Sequence, residues 1–127
     1  MTIDLWMLVA AVVLTWAQIV IAATPGLLSN PMWAIGSRDS QADHSVWASR
    51  ADRAAKNMRE NLPIFAALVL TAHVSGEADS TSALGAQIFI GARIAHAIIY
   101  LSGIPNVRTL AWLVSVAGMG MILSALF

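Results

Sequence analysis

Cysteine is absent from this chain, and with it go disulfides, thiolate metal sites and an intrinsic thiol nucleophile. Any thiol chemistry must use a thiol that a ligand brings. Charge is nearly as scarce: Asp, Glu, Lys and Arg make up 11% of residues, against about 25% in an ordinary soluble domain. Seven bases offset seven acids, and the bases gather beside proposed membrane boundaries rather than forming a tail. This argues against a nucleic-acid partner. No internal repeat or low-complexity tract is evident. What is abundant is apolar: 58% of 127 residues are hydrophobic and the mean hydropathy is +0.73, which reads as one small integral membrane domain, 1–127.

Four spans can be placed, giving an all-α membrane four-helix bundle. Residues 5–24 form a nonpolar run interrupted only by Thr15, Gln18 and Thr24, long enough to cross a hydrocarbon core of about 30 Å. Its leader carries Asp4 and no Lys or Arg, and the run exceeds the ~7–15 residues of a signal-peptide core, so a retained helix is expected. Pro, Gly, Ser, Asn and charges between Pro25 and Ser45 read as a loop or interfacial segment, with Trp33 and Trp47 at headgroup depth. His44 reads as a loop residue.

The second span, 46–74, is continuously nonpolar only from Leu62 to Val74, apart from Pro63 and the polar Thr71 and His73, so its amino-terminal half should project from the hydrocarbon. Pro63 within it crowds the carbonyl of Arg59 and predicts a kink or a freed acceptor. The third span covers 83–101. Gly103, Pro105 and Asn106 separate it from a fourth, 108–127.

Basic residues set the expected orientation. Arg38, Arg50, Arg53, Lys56 and Arg59 lie between the first two spans, and Arg93 and Arg108 lie toward the last connection, whereas the 75–82 turn has none. Both basic connections should face the cytoplasm, with the termini on the opposite side.

Polar residues interrupt two of the greasy segments at helical spacing. Arg53, Lys56, Asn57 and Glu60 fall at i, i+3, i+4 and i+7; Arg93, His96 and Tyr100 fall at i, i+3 and i+7. Each set stacks on one helical face. Such groups are costly in hydrocarbon, so a shared site for a charged ligand is the simplest reason for both.

The run from Arg53 to Pro63, followed by Arg93-Ile-Ala-His96-Ala-Ile-Ile-Tyr100 and then Arg108-Thr109, resembles the MAPEG family, membrane-associated proteins of eicosanoid and glutathione metabolism. The likeness spans nearly the whole chain and rests on two separated motifs in order on a four-span pattern. It implies a homotrimer of four-helix protomers, with glutathione held between neighbouring subunits near the cytoplasmic face and a hydrophobic small molecule as second substrate. It makes Arg53, Lys56, Asn57, Glu60, Arg93, His96, Tyr100, Thr109 and Trp112 glutathione contacts. Arg108 occupies the position that in catalytic relatives points at the glutathione sulfur. Lys56 stands where arginine is common, Thr109 where some relatives have serine, and Trp112 where some have tyrosine. Lysine offers a point charge instead of a flat fork, and an indole donates a hydrogen bond without accepting one.

The residue chemistry suits that ligand. Glutathione carries two carboxylates, an ammonium and a thiol, and the stripes offer cations, one acid and Arg108. A free thiol is only a few per cent ionised at neutral pH. Raising its thiolate-to-thiol ratio a hundredfold needs about 2.7 kcal/mol, within reach of one arginine in a dry pocket.

Plainer readings stand beside these. Arg50, Arg53, Lys56 and Arg59 also suit headgroup anchors, Glu60 a structural ion pair, His96 a helix-to-helix hydrogen bond, Tyr100 an interfacial aromatic and Arg108 a helix-start residue. His73 has no companion at metal spacing, so no metal is expected. Trp6, Trp16, Trp33 and Trp47 read as interfacial or lipid-facing. Ala111 with Ser115, and Gly120 with Ser124, are small pairs suited to close helix contact.

Three functions remain open: a glutathione-dependent transferase or peroxidase, a noncatalytic lipid-binding or scaffold protein of the same fold, and a small four-span transporter. The transporter is weakest, because helix one offers only Gln18 and the charges gather at one end. For a bacterial chain the expected location is the inner membrane.

Overall fold

A computed structural model describes residues 1–40 and 45–127, and the loop reading of His44 lies outside them. Five helices form among the described residues: α1 (Ile3–Ser29), α2 (Pro31–Ile35), α3 (Val46–Ser75), α4 (Ser80–Ser102) and α5 (Val107–Ser124). α1, α4 and α5 are each long and apolar enough to cross a membrane. α3 is longer, at 30 residues, but its polar amino-terminal half keeps its mean hydropathy low.

Over 25–35 the helices replace the loop expected there, while the alternative reading as an interfacial segment is not contradicted. α1 continues through Pro25 to Ser29, and Asn30 then caps a new turn, its side-chain oxygen accepting from the Trp33 N–H at 3.1 Å. Pro31 takes the first helical position, where its missing N–H costs nothing. α3 likewise runs unbroken past Pro63. Just before it, the Asn61 amide donates to the Asn57 carbonyl at 2.8 Å.

Local chemistry sets the remaining boundaries. α3 ends at Gly76, whose φ of +79° belongs to the left-handed region that glycine enters freely. Asp79 starts α4 with a capping box: its carboxylate accepts from the backbone N–H groups of Thr81 and Ser82, while the Ser82 hydroxyl accepts from the Asp79 N–H. That hydroxyl also donates to Asp4 at 3.2 Å, tying the start of α1 to the start of α4.

α4 packs most extensively on α5 and α1 on α3, while α4 also touches α1 and α3. The core holds Met58, Val69 and Ile122 around Phe65 and Phe89, whose rings stack 4.0 Å apart. Where α4 meets α5 the backbones almost touch. A Cβ on Gly85 would lie 2.6 Å from the Gly118 carbonyl oxygen, and one on Gly118 would lie 2.6 Å from that of Gly85. The sequence reading missed this pair. Ala111 and Ser115 are buried, as small packing residues should be, but Gly120 and Ser124 face outward. The outer surface is apolar: Val12, Val13, Trp16, Leu110 and Leu113 are all exposed, which suits hydrocarbon and not water.

Gly118→Ala should lower thermal stability in detergent by about 1–3 kcal/mol, because its new methyl meets a carbonyl that cannot move alone. Gly120→Ala lies inside α5 with open space around it and should equal wild type or exceed it by up to about 1 kcal/mol.

Acid should weaken the α4 cap. The backbone N–H of Ser82, with that of Thr81, holds the Asp79 carboxyl below its ordinary value of 3.8. A lowered folded-state value means the cap contributes fully above the unfolded value and is lost as pH falls through the folded one. The Tm advantage of wild type over Asp79→Ala should therefore be present near neutral pH and shrink on acidification below the ordinary carboxylate range.

Candidate functional site

The amino-terminal half of α3, the carboxy-terminal half of α4 and the first turn of α5 meet at one end of the bundle. There Asn57, His96, Tyr100, Arg108, Thr109 and Trp112 line an open cleft of about 250 Å³. Helical pitch explains the first three: Asn57 comes from the α3 stripe, and His96 and Tyr100 lie one turn apart on α4. Their rings pack at 5.5 Å, tilted by 58°.

The α4–α5 turn supplies the other three. Gly103 closes α4 at φ +74°, with the Arg50 guanidinium against it where any Cβ would be. The Val107 N–H then donates to the Pro105 carbonyl at 2.8 Å around Asn106, at φ 69° and ψ −48°. This is a γ-turn of the strained, positive-φ kind, and asparagine is among the residues most often found at positive φ. It starts α5 at Val107 and so puts Arg108 and Thr109 in its first turn. The positive end of the α5 macrodipole thus borders the cleft beside Arg108.

Tyr100, the sole tyrosine, gathers the cations. The Arg108 guanidinium lies 5.1 Å from its ring centroid and that of Arg53 lies 5.9 Å away, both within cation–π range. No ion pair forms among the described residues. These cations therefore keep their charge free for a ligand.

Arg93 lies behind the cleft and is 1% exposed. Its Nη2 donates to Asn57 Oδ1 at 2.7 Å and its Nε to the sulfur of Met58 at 3.3 Å, while Nη1 is buried with no partner. A guanidinium satisfied by an amide and a thioether is poorly compensated for its burial. One consequence reaches the cleft: with Oδ1 engaged by Arg93, Asn57 presents its NH₂ group as a donor. Met58 was not foreseen as a partner, since a methionine at helical spacing reads as core.

Of the residues expected to act together, six line the cleft, Arg53 joins through Tyr100, and Arg93 joins through Asn57. Lys56 and Glu60 do not line it. Both are exposed and continue the α3 stripe along the same face. Among the described residues no group of three His, Asp or Glu side chains could hold a metal.

An all-helical chain with apolar spans and a polar cleft at one end fits a multi-pass membrane protein. The chain belongs to the MAPEG family, whose model matches residues 3–127. Membership associates it with membrane proteins of glutathione and eicosanoid metabolism, a family that includes transferases, peroxidases and non-enzymes. No curated protein and no solved structure matches the chain.

Arg93 and Asn57 should respond oppositely to mutation. Replacing a poorly compensated buried cation by an apolar side chain of similar length is neutral or stabilising in general, so Arg93→Met should leave Tm level or raise it. Asn57→Ala strands a second guanidinium N–H and should cost about 1–3 kcal/mol. Tryptophan fluorescence during thermal unfolding reads both, and a large loss of stability in Arg93→Met contradicts this account.

Proposed function

We propose that this chain is a glutathione-dependent membrane transferase or peroxidase that activates the glutathione thiolate against hydrophobic electrophiles or lipid hydroperoxides. The observation that carries the reading is the convergence of Asn57, His96, Tyr100 and Arg108 on one cleft, with the Arg53 guanidinium on the same tyrosine ring. As the family resemblance implies, the protein works as a homotrimer, and a neighbouring subunit closes the open cleft over its exposed outer cations. The site faces the cytoplasm and both termini face the other side, by the distribution of bases. In a bacterial cell the membrane is the inner one.

Each residue has a role in this scheme. Arg53 and the Asn57 NH₂ group bind a glutathione carboxylate. Lys56 and Glu60, farther along the α3 face, take the other carboxylate and the ammonium. His96, Tyr100, Thr109 and the Trp112 N–H orient the peptide. Arg108, at the positive end of α5, stabilises the thiolate.

In conjugation the thiolate sulfur forms a bond to an electrophilic carbon, and the leaving group departs with its bonding pair. In peroxide reduction the sulfur attacks the terminal peroxide oxygen, the O–O bond breaks, and the alcohol leaves after taking a proton. A second glutathione then displaces water from the sulfenic form, so two thiols supply the two electrons and end as a disulfide. The membrane concentrates the second substrate, each buried methylene contributing roughly 0.8 kcal/mol.

Arg108→Ala should lower turnover of a hydrophobic electrophile by roughly two orders of magnitude while changing glutathione affinity far less, the pattern of an interaction made mainly in the transition state. Calorimetric titration with glutathione supplies the affinity, and Glu60→Gln should weaken it by removing the ammonium contact. Wild-type protein that binds glutathione but gives neither thiolate absorbance nor turnover supports the noncatalytic lipid-binding or scaffold reading instead.

A further inference from the structure

Arg50 suits a headgroup anchor by sequence, yet its side chain does not extend freely from α3. It is half-buried, and its guanidinium atoms are the nearest to the place where a Cβ on Gly103 would stand. Gly103 thus serves twice: its φ of +74° ends α4, and its missing side chain leaves room for the guanidinium. Arg50 makes no hydrogen bond or ion pair among the described residues. What it faces is the carboxy-terminal end of α4, the negative end of that helix's dipole.

This contact is the last rung of a series between α3 and α4. Asn57 bonds Arg93; Arg53, about one turn earlier on α3, lies 5.9 Å from the Tyr100 ring centroid; Arg50, a further turn earlier, meets Gly103. Beyond that rung little holds the chain in place. Residues 104–110 are all exposed within the protomer, and burial resumes at Ala111. The bonds inside this stretch, from the Val107 N–H to the Pro105 carbonyl and from the Thr109 N–H to the Asn106 carbonyl, set its own shape and not its placement against α3. Arg108 and Thr109, which line the cleft, belong to the same stretch. The approach of the Arg108 guanidinium to Tyr100, at 5.1 Å from the ring centroid, therefore depends on where the turn before it is set.

We propose that Arg50 is a positioning residue for Arg108: by covering Gly103 it fixes the α4–α5 turn against α3 and so sets where the Arg108 guanidinium stands in the cleft. What Arg108 does there rests on the transferase or peroxidase reading, whereas its placement does not. Arg50 itself touches neither the ligand nor the reacting atoms.

Three measurements on the full chain in lipid nanodiscs test this. Hydrogen exchange in the segment containing Val107 and Thr109 should quicken about tenfold in Arg50→Ala, because local opening there becomes easier, while α1 is unchanged. In thermal unfolding, Gly103→Ala should lower Tm by about 4 °C more in the wild-type background than in Arg50→Ala, since only with Arg50 present must the new methyl displace a guanidinium. The backbone cost of positive φ is common to both backgrounds and cancels. In turnover of a hydrophobic electrophile, Arg50→Ala should lose about tenfold with glutathione affinity nearly unchanged by calorimetry, and should cost nothing further in the Arg108→Ala background. Unchanged exchange, equal Tm losses or additive losses of turnover each overturns the proposal. A glutathione affinity that falls as far as turnover does so too, since Arg50 is then a ligand contact. Wild-type protein without any turnover counts against the transferase reading instead, and the exchange and Tm measurements, which need no glutathione, still decide whether Arg50 places the turn.

Discussion

The buried guanidinium of Arg93 is the constraint from which the polar end of this bundle follows. Within an apolar helix it must find partners on the neighbouring helix, and α3 provides them at two consecutive positions, Asn57 and Met58. Those contacts fix which face of α3 meets α4. Once they are made, Arg53 comes beside Tyr100, and the Asn57 amide turns its donor side to the cleft. The same contacts are incomplete, because Nη1 stays unpaired. A core selected only for stability would not retain this arrangement, whose cost is offset by what it positions.

Helical spacing made the stripes legible in the sequence, and apolar runs bounded by turn residues made four of the helices so. Arg53 with Asn57, and His96 with Tyr100, lie on shared faces because helical pitch dictates it, and Gly103 marks a helix end because left-handed backbone favours glycine. The continuation of α1 beyond Pro25 was missed because proline signals a break even where the helix carries on. The closest helix contact was also missed. Gly85 and Gly118, 33 positions apart, find each other in space and not in pattern, whereas Gly120 shares the expected spacing with Ser124 and has open space around it. Spacing identifies residues that share a face; it carries no information about what that face meets.

The candidate site divides along the same line. His96 and Tyr100 could be paired from sequence, and the resemblance joined Arg108 and Thr109 to them. The means by which they reach the cleft could not be read: it depends on a γ-turn at Asn106, which no residue type encodes uniquely. Lys56 and Glu60 satisfy the helical spacing as well as Asn57 does and still lie off the cleft. A stripe is longer than the patch of neighbouring helix that covers it, and its far end is left for solvent, headgroups or another subunit.

Charge placement explains why an unpaired site survives in so apolar a chain. Bases and acids are equal in number, enough to neutralise one another, yet no ion pair forms among the described residues. Arg53 and Arg108 instead rest on an aromatic face, which holds a guanidinium in place without neutralising it. A carboxylate in the same position would anchor the cations more strongly and compete with any anionic ligand for them. Tyr100 therefore preorganises two positive charges at low cost to their availability. Two guanidinium charges thus stay available at the polar end of an otherwise apolar bundle.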